Sequence, residues 1–514
     1  MDLNCAIYHC VKKLQKRLPY APDIQARWES ELIAQVLAYI RQLDAYVGAT
    51  ETLYIAVDGV APMAKIKQQR GRRFKSAVAA EEEGRIRAHA RGERYEAKPR
   101  WDTNAITPGT RFMGELATAL RTFARAHPSR ILVSPADEPG EGEQKIMNWI
   151  RSTKPGDVVV YGLDADLIVL ALWATATTDI QVDLFREEVE FQGGVKEDAL
   201  GEEQFLFMNM RHLGDMIYSR YSRKDQSPKE RTQERADFLC DFVALMNLLG
   251  NDFVPHGMSL KIKDEGVETV LEIYGSSPAL LTSDRSSYSV EGLRHMFKAL
   301  AAMEETSMLR TVVKKLTARP GMTHSKDPED IALAYYNDKP VLWRVEEALV
   351  RRVPVAGYER TQIVLRDDWR AMYDNMALWG ANINEVVKAY LESLAWTLAY
   401  YDGKPVDMNW VYPWFLPPRF ETIVERMEAM PVAPMASAAA VALKPLEQLA
   451  MVLPQSSFHL LPKEYAALPT LYPYAWPVEW EMFSLGRRFL WECEPIVPLV
   501  RGSQIRAWID ALYD

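Results

Sequence analysis

The stretch Val158–Trp173, with the sequence VVVYGLDADLIVLALW, places Asp164 and Asp166 inside an apolar run. Removing a carboxylate from water is costly unless a cation or hydrogen-bond donors replace the lost hydration. We therefore predict that the run is a buried strand. Its two aspartates, two residues apart and so on one side of the backbone, would then share a positively charged partner.

Two other β-branched runs in the first third of the chain also end in acids. TLYIAVDG, residues 52–59, ends at Asp58, and RILVSPADEPGEGE, residues 130–143, leads to Glu141 and Glu143. Continuous apolar runs are typical of parallel strands buried on both faces. Helical patterns lie between them, over residues 24–46, 64–91, 111–126 and 143–150. The alternation predicts an α/β fold with a mostly parallel central sheet flanked by helices.

Because the carboxyl ends of parallel strands meet at one edge of a sheet, we expect the acids near these ends to lie together. The candidates are Asp2, Asp58, Glu141, Glu143, Asp164, Asp166 and Asp252. Close carboxylates take up protons or hold cations, and oxygen ligands without matching His or Cys favour Mg²⁺ or Mn²⁺. A pair of such ions suits phosphodiester cleavage. The alternative is a set of helix-capping acids, since Glu141 and Glu143 also suit the first turn of a helix.

A basic segment follows Asp58. KIKQQRGRRFK, residues 65–75, carries six basic residues in eleven and no acid. On a helix, Lys65, Gln69, Arg72 and Arg73 share a face roughly 100° wide. Arginine forks and a lysine beside a metal site suit a terminal phosphate. The alternative is a solvated basic face or a patch of the nuclear-localisation type.

Composition limits the classes of function. The net charge of −9 gives the whole molecule no attraction for nucleic acid, so any such function needs a local basic patch. Four cysteines without a CxxC pair indicate reduced thiols rather than disulfides or zinc. Residues 430–443 are too short and interrupted to span a membrane. We predict an intracellular protein, cytoplasmic in the first instance, with nuclear residence left open.

Several longer motifs resemble one family, the Xrn family of 5′→3′ exoribonucleases. Its first conserved region resembles DGVAPMAKIKQQRGRRF (58–74), NAITPGTRFM (104–113), EPGEGEQKIMNWIR (138–151), VYGLDADLIVLAL (160–172), LFREEV (184–189) and LLGNDFVPH (248–256). Its second region resembles NWVYPWFLPP (409–418), KPLEQLAMVLP (444–454) and RRFLWECEPIVPLV (487–500). The resemblance covers nearly the whole chain in order and spacing.

The resemblance implies a PIN-like 5′-nuclease core that degrades single-stranded, 5′-monophosphorylated RNA to mononucleotides with Mg²⁺ or Mn²⁺, held as two ions. It implies that the seven acids are the catalytic and metal-binding residues. It assigns the 5′-phosphate pocket to Lys65, Gln69, Arg72 and Arg73. It assigns base stacking to Tyr8 and Trp410, with Trp414 as an alternative to Trp410.

The resemblance also implies three segments: a nuclease core over residues 1–275, a helical connection over 276–360, and a Trp-, Tyr- and Pro-rich second region over 361–514 that braces the site. Family members start with a Met-Gly-x-Pro segment, a helix and a strand before the first aspartate. This chain begins one residue before Asp2, so we expect Asp2 to be poorly held and the sheet to lack a strand. We likewise expect the chain to lack the long C-terminal extensions of the family's cytoplasmic members.

Two other functions stay open from the sequence. One is a structure-specific 5′ flap nuclease acting on DNA. The other is an RNA-binding relative whose catalysis is weakened by the missing N-terminal segment.

Overall fold

The structure, a computed structural model, describes most of the chain. It leaves out residues 98, 163, 179, 190–194, 198–201, 222–227, 322, 434–441 and 514, and the side chains of residues 228–233. Among the helices it describes, none is long and apolar enough to cross a membrane. Much of the stretch 430–443 lies outside the described residues.

Helices dominate the fold. They are α1 (Leu3–Arg17), α2 (Gln25–Val47), α3 (Met63–Ala90), α4 (Arg111–Arg125), α5 (Gly142–Thr153), α6 (Asp166–Thr177), α7 (Met210–Tyr221), α8 (Pro228–Leu248), α9 (Gly266–Gly275), α10 (Val290–Thr317), α11 (Pro328–Asn337), α12 (Lys339–Leu342), α13 (Trp369–Leu378), α14 (Ile383–Tyr401), α15 (Phe420–Arg426), α16 (Pro445–Val452), α17 (Leu468–Leu471) and α18 (Gly502–Asp510). The strands are β1 (Leu53–Ala56), β2 (Ile131–Ser134), β3 (Asp157–Tyr161), β4 (Gln181–Glu187), β5 (Phe205–Asn209), β6 (Val350–Pro354), β7 (Thr361–Leu365), β8 (Met482–Phe483) and β9 (Glu494–Pro495).

The sheet of the first region is divided into two pieces. Strands β1 and β2 form a parallel pair, with Leu53 opposite Ile131. Strand β3 pairs in parallel with β4, and β4 pairs antiparallel with β5. The fold class is therefore mixed α/β, and one mostly parallel central sheet stays a prediction. Both parallel pairs form, but they belong to separate pieces, and strand β5 runs antiparallel to β4.

Met1 and Asp2 lie between the two pieces. The Met1 amine donates to the Tyr54 carbonyl at 2.7 Å, and the Ala56 N–H donates to the Met1 carbonyl at 3.0 Å. On the other side, the Asp2 N–H donates to the Tyr161 carbonyl at 2.9 Å. These two residues thus occupy a strand position between β1 and β3. This contradicts the expectation that Asp2 is poorly held.

The four predicted helices of the first third are confirmed to within three residues at each end, as α2, α3, α4 and α5. The strand predicted from VVVYGLDADLIVLALW is wrong in its second half. Strand β3 ends at Tyr161, and Asp166 is the first residue of α6. Residues Leu167–Trp173 are apolar because α6 is a helix buried among other helices, where Leu170 and Trp173 are fully covered.

Two buried cores hold the molecule together. The smaller packs α1, α2 and α4 against β1 and β2 around Trp28 and Leu116. The larger runs from Ala56 to Ile509 and includes α6, α8, α10 and α14. The later part of the chain thus shares its core with the helices that carry the acids. The prediction that residues after 275 are mostly helical holds as far as Tyr401, but beyond it the helices α15 to α18 are short and much of the chain is irregular. Two short antiparallel pairs, β6–β7 and β8–β9, also lie after residue 275.

Candidate active site

Asp58 lies where three elements meet, just after β1. Its Oδ1 accepts a hydrogen bond from the Gly142 N–H at 2.7 Å, at the start of α5. Its Oδ2 accepts from Asn4 Nδ2 at 2.7 Å, in the first turn of α1, and the Asp58 N–H donates back to Asn4 Oδ1 at 3.1 Å. These bonds fix the carboxylate of Asp58 against the N-terminal ends of two helices, where the helix dipole favours a negative charge.

Asp2 faces Asp58 across Gly142. It caps α1, with its carboxylate accepting from the Asn4 N–H at 3.3 Å, and only 7% of it is exposed. Burial raises the pKa of Asp2 to about 7, and the nearby charge of Asp58 adds to the rise. A Cβ atom at Gly142 would lie 2.9 Å from Asp2 Oδ1 and 3.4 Å from Asp58 Oδ1. Glycine therefore allows the two carboxylates to approach each other.

Glu141 and Asp252 are joined by a lysine. Lys65 Nζ, in the first turn of α3, lies 2.9 Å from Glu141 Oε1 and 2.8 Å from Asp252 Oδ2. The other oxygen of Glu141 accepts a hydrogen bond from the Tyr400 hydroxyl of α14 at 2.7 Å. Burial alone would lower the pKa of Lys65, but Glu141 and Asp252 raise it well above its usual range. Lys65 is thus a fixed cation inside the acidic group.

Glu143, Asp164 and Asp166 complete the group. Burial raises the pKa of Asp166 to about 7, helped by the charges of Asp252 and Asp164. Burial also raises the pKa of Glu143 well above its usual range, against the pull of Lys65 and with the charges of its acidic neighbours. Asp164 is exposed and accepts a 3.3 Å hydrogen bond from the Asp166 N–H. Electrostatic interactions therefore link all seven predicted acids into one group, which we call the carboxylate ring.

The carboxylate ring suits a hard divalent cation. Within the described part of the chain, no three His, Cys, Asp or Glu side chains are already spaced to enclose a metal ion. Lys65 lies between two of the carboxylates instead. One ammonium faces seven carboxyl groups, and neighbouring carboxylates add to the rise that burial causes in the pKa values of Asp2 and Asp166. Oxygen donors in excess of nearby cations are the chemistry that Mg²⁺ or Mn²⁺ requires.

The basic face of α3 contains unsatisfied polar atoms. Arg73 is 9% exposed and Gln69 is 7% exposed. Among the described residues, neither Arg73 Nη1 nor Gln69 Oε1 has a hydrogen-bond partner. Burial lowers the pKa of Arg73 to about 10, while the nearby charges of Tyr8 and Asp58 oppose the change. Arg72, the remaining predicted pocket residue, is exposed. A buried guanidinium edge without a partner is suited to an anion.

The two predicted stacking residues lie in different settings. Tyr8, on α1, is 41% exposed and lies near Arg73. Trp410 is 6% exposed, and one face of its ring stacks on Trp396 with a centroid distance of 5.4 Å. Trp414, the alternative, is partly buried. The choice of the tryptophan that would face Tyr8 across a stacked base therefore stays a prediction.

Sequence reasoning missed four residues that shape the site. Asn4, Gly142 and Tyr400 hold or space the carboxylates, as described above. Lys145 Nζ, on α5, donates to the Val57 and Pro135 carbonyls at 2.8 and 2.9 Å and so ties the ends of β1 and β2 together. Asn4 and Lys145 each stand two residues from a predicted acid, and this closeness in sequence is a signal that could identify them as site residues. Tyr400 is 259 residues from Glu141, and no local pattern marks it.

Comparison with known proteins matches two family profiles. Residues 1–188 match the profile described as XRN 5′-3′ exonuclease N-terminus, and residues 373–513 match the Xrn1 helical domain. The chain belongs to the Xrn family. The carboxylate ring draws Asp2, Asp58, Glu141, Glu143, Asp164 and Asp166 from the first matched segment, and Tyr400 comes from the second. Asp252 lies between the two segments.

Individual Xrn proteins show the same relationship. An Arabidopsis thaliana protein named 5′-3′ exoribonuclease 2 is 25% identical over 638 residues, covering 98% of this chain and 61% of that protein. A human protein named 5′-3′ exoribonuclease 1 is 27% identical, covering 98% of this chain and 32% of that protein. A Schizosaccharomyces pombe 5′-3′ exoribonuclease 2 is 35% identical over 321 residues, covering 54% of this chain and 31% of that protein. The chain thus spans less than two thirds of the length of these relatives.

Proposed function

We propose that this Xrn chain is a 5′→3′ exoribonuclease that hydrolyses single-stranded RNA with a 5′-monophosphate to mononucleotides. The observation that carries the proposal is the carboxylate ring beside a buried donor without a partner, Arg73 Nη1. An acidic centre next to an anion site is what hydrolysis near a terminal phosphate requires. Membership of a family whose relatives are named exoribonucleases supports it.

The carboxylate ring is proposed as the catalytic and metal-binding centre. Asp58, Glu141, Glu143, Asp164, Asp166 and Asp252, with Asp2, would hold two Mg²⁺ or Mn²⁺ ions. When bound, such ions activate water and neutralise charge on the phosphate that is attacked. Lys65 contributes a cation of its own, because its ammonium is already held between Glu141 and Asp252.

The basic face of α3 is proposed as the 5′-phosphate pocket, formed by Lys65, Gln69, Arg72 and Arg73. The free Nη1 of Arg73 supports this role, since a phosphate oxygen would satisfy a buried donor that is costly to leave unpaired. A pocket that takes a single phosphate would exclude a triphosphate or a cap. Such ends are therefore expected to be poor substrates.

The 5′ base is proposed to stack on Tyr8, which exposes its ring next to Arg73. Trp410 or Trp414 would supply the second ring. We also propose that residues 1–275 form the nuclease core, 276–360 connect it, and 361–514 brace it, as Tyr400 does by donating to Glu141. We also propose that the protein acts in the cytoplasm.

The deciding experiment compares RNA ends. RNA labelled at its 3′ end and carrying a 5′-monophosphate or a 5′-triphosphate is incubated with the purified protein, with Mg²⁺ or with EDTA. The monophosphate RNA should be lost with Mg²⁺ alone, while the triphosphate RNA persists. Equal decay of both RNAs would contradict the phosphate pocket. A 5′ flap DNA assayed in parallel tests the alternative of a flap nuclease.

Variants separate catalysis from binding. Asp164→Asn with Asp166→Asn should abolish cleavage and leave the fold intact. The matched control is Asp367→Asn, since the side chain of Asp367 is 94% exposed on the surface. If the double variant cut RNA at the normal rate, the metal assignment would be wrong. If the wild type bound RNA without cutting it, the binding-only relative would be favoured.

A further inference from the structure

A cavity of about 850 Å³ lies against a second face of α3. The residues of α3 that line it include Lys67, Gln68, Lys75 and Arg72, and Arg72 also belongs to the proposed 5′-phosphate pocket. This face is turned roughly 120° about the helix axis from the face of Lys65, Gln69 and Arg73. The cavity touches the carboxylate ring through Asp252, which lies in its wall. Its volume is within the range of pockets that bind small ligands, about 300–1,000 Å³.

The cations of this cavity are held mainly by neutral groups. Lys67 Nζ donates to the Tyr412 and Trp414 carbonyls at 2.8 and 3.2 Å. Lys75 Nζ donates to the Trp491 and Cys493 carbonyls at 2.8 and 3.0 Å. Lys261 Nζ donates to the Gly486 carbonyl at 2.6 Å. Carbonyl oxygens fix the position of an ammonium without cancelling its charge, so the wall carries excess positive charge in a protein whose net charge is −9.

Arg487 adds a buried donor that lacks a partner. Its side chain is 4% exposed and lines the cavity. One terminal nitrogen lies 3.1 Å from Glu494 Oε1, and the other lies against the His256 ring. Among the described residues, Arg487 Nε has no hydrogen-bond partner. An unsatisfied guanidinium edge at the wall of a cavity is a ready anion site.

Aromatic rings share the cavity with these cations. Trp379 is 52% exposed, Trp491 is 58% exposed, and Trp414 and Phe415 also line the wall. The Trp379 backbone is left-handed, with φ 53°, which is costly for a bulky residue. Burial lowers the pKa of Lys67 and of Lys261 to about 8, so both ammonium groups stay mostly charged at neutral pH. Flat rings next to fixed cations fit a ligand that has a base and a phosphate.

We propose that this cavity binds a nucleoside 5′-monophosphate, with its phosphate near Lys67, Lys75 and Arg487 and its base against Trp379. The choice of a mononucleotide rests on the proposed function, because a mononucleotide is the product that cleavage at the adjoining carboxylate ring would release. The cavity would take up the product after cleavage and, at high nucleotide concentration, hold it next to Asp252.

The test is calorimetric titration of the full-length protein with uridine and adenosine 5′-monophosphates, with inorganic phosphate as a second probe. The wild type should bind two nucleotides, one in the 5′-phosphate pocket and one in this cavity. Lys75→Gln with Trp379→Asn should weaken the second event roughly tenfold or more, since loss of stacking alone costs about 1–3 kcal/mol. Asparagine tolerates the left-handed backbone at position 379. Lys298→Gln, at an exposed lysine of α10 outside the cavity lining, is the matched control.

Arg73→Met separates the two sites. It should remove the event in the 5′-phosphate pocket and leave the cavity event. If Arg73→Met changes nothing while Lys75→Gln with Trp379→Asn removes binding, the cavity stands and the proposed pocket fails. Unchanged binding in the Lys75→Gln, Trp379→Asn variant would overturn the cavity site. A 5′-hydroxyl oligoribonucleotide is titrated as a further probe. If the Lys75→Gln, Trp379→Asn variant loses binding of this oligoribonucleotide alone, the cavity holds the RNA chain and the mononucleotide proposal is overturned.

Discussion

The Tyr400 hydroxyl donates a 2.7 Å hydrogen bond to Glu141 Oε2, linking helix α14 to the carboxylate ring. Both residues are buried, and Lys65 holds the other oxygen of Glu141. The position of this carboxylate is therefore fixed from two sides, by helix α3 through Lys65 and by helix α14 through Tyr400.

Tyr400→Phe should slow catalysis with little change in RNA affinity. A hydrogen bond to a charged group contributes about 1.5–3 kcal/mol, so we expect kcat to fall roughly tenfold or more while KM stays near the wild-type value. Steady-state kinetics on 5′-monophosphate RNA measure both. Tyr390→Phe, a buried tyrosine of the same helix outside the ring, is the control. Identical behaviour of the two variants would show that the Tyr400 bond does not position Glu141.

Gly142→Ala should abolish activity without unfolding the protein. The added Cβ would lie 2.9 Å from Asp2 Oδ1 and must push that carboxylate away from Asp58. The control is Gly114→Ala in α4, where a Cβ meets nothing within 4 Å. That change should stabilise the helix by up to about 1 kcal/mol. Nuclease assays and thermal melts follow both. An active Gly142→Ala protein would mean that the spacing of Asp2 and Asp58 is not critical.

Divalent metal should raise the melting temperature. An ion that binds the folded state alone stabilises it by about 2.7 kcal/mol at one hundred times its dissociation constant. Calorimetry with Mg²⁺, against KCl matched for ionic strength, measures the effect. Asp164→Asn with Asp166→Asn should reduce the increase, and Asp367→Asn should not. A melting temperature that does not change when Mg²⁺ is added would count against a metal site in the carboxylate ring.

Glu304 should make stability depend on pH. Its side chain is 5% exposed, and its oxygens accept from the Phe420 and Glu421 N–H groups at 2.9 and 3.1 Å. Burial raises its pKa to about 7 from the ordinary 4.5. A raised folded-state pKa means that its contribution is fully present below pH 4.5 and is lost as the pH rises through about 7.

The variant Glu304→Gln tests this contribution, because an amide does not titrate. The free energy of unfolding, measured with urea at several pH values, should fall from pH 5 to pH 8 more steeply in the wild type than in the variant. The comparison between proteins removes the effect of other titrating groups. Parallel pH profiles would show that Glu304 does not titrate in this range.

The sequence predicted much of the acidic site because its acids follow local patterns. Asp58, Glu141 and Glu143 come after apolar strands or begin a helix, and these signals are short in range. Asp164 and Asp166 interact with these acids in the structure, but they do not lie on the predicted strand. A buried strand and a buried helix both appear as continuous apolar runs, so periodicity could not show that β3 ends at Tyr161.

Long-range partners could not be predicted. Tyr400 reaches Glu141 across 259 residues, and only the packing of α14 brings them together. The division of the sheet was also hidden, because strand propensity does not specify which strands pair. The role of Lys65 as a counter-ion inside the carboxylate ring required the fold as well, since its spacing on α3 suggested only a phosphate ligand.

The placement of Met1 and Asp2 between β1 and β3 has a mechanical consequence. Asp58 follows one piece of the sheet and Asp164 follows the other, and in the described sheet Met1 and Asp2 connect the two pieces through backbone hydrogen bonds. The spacing between Asp58 and Asp164 therefore depends on hydrogen bonds made by the first two residues of the sequence. A change that loosens these two residues would act on the whole carboxylate ring and not on Asp2 alone.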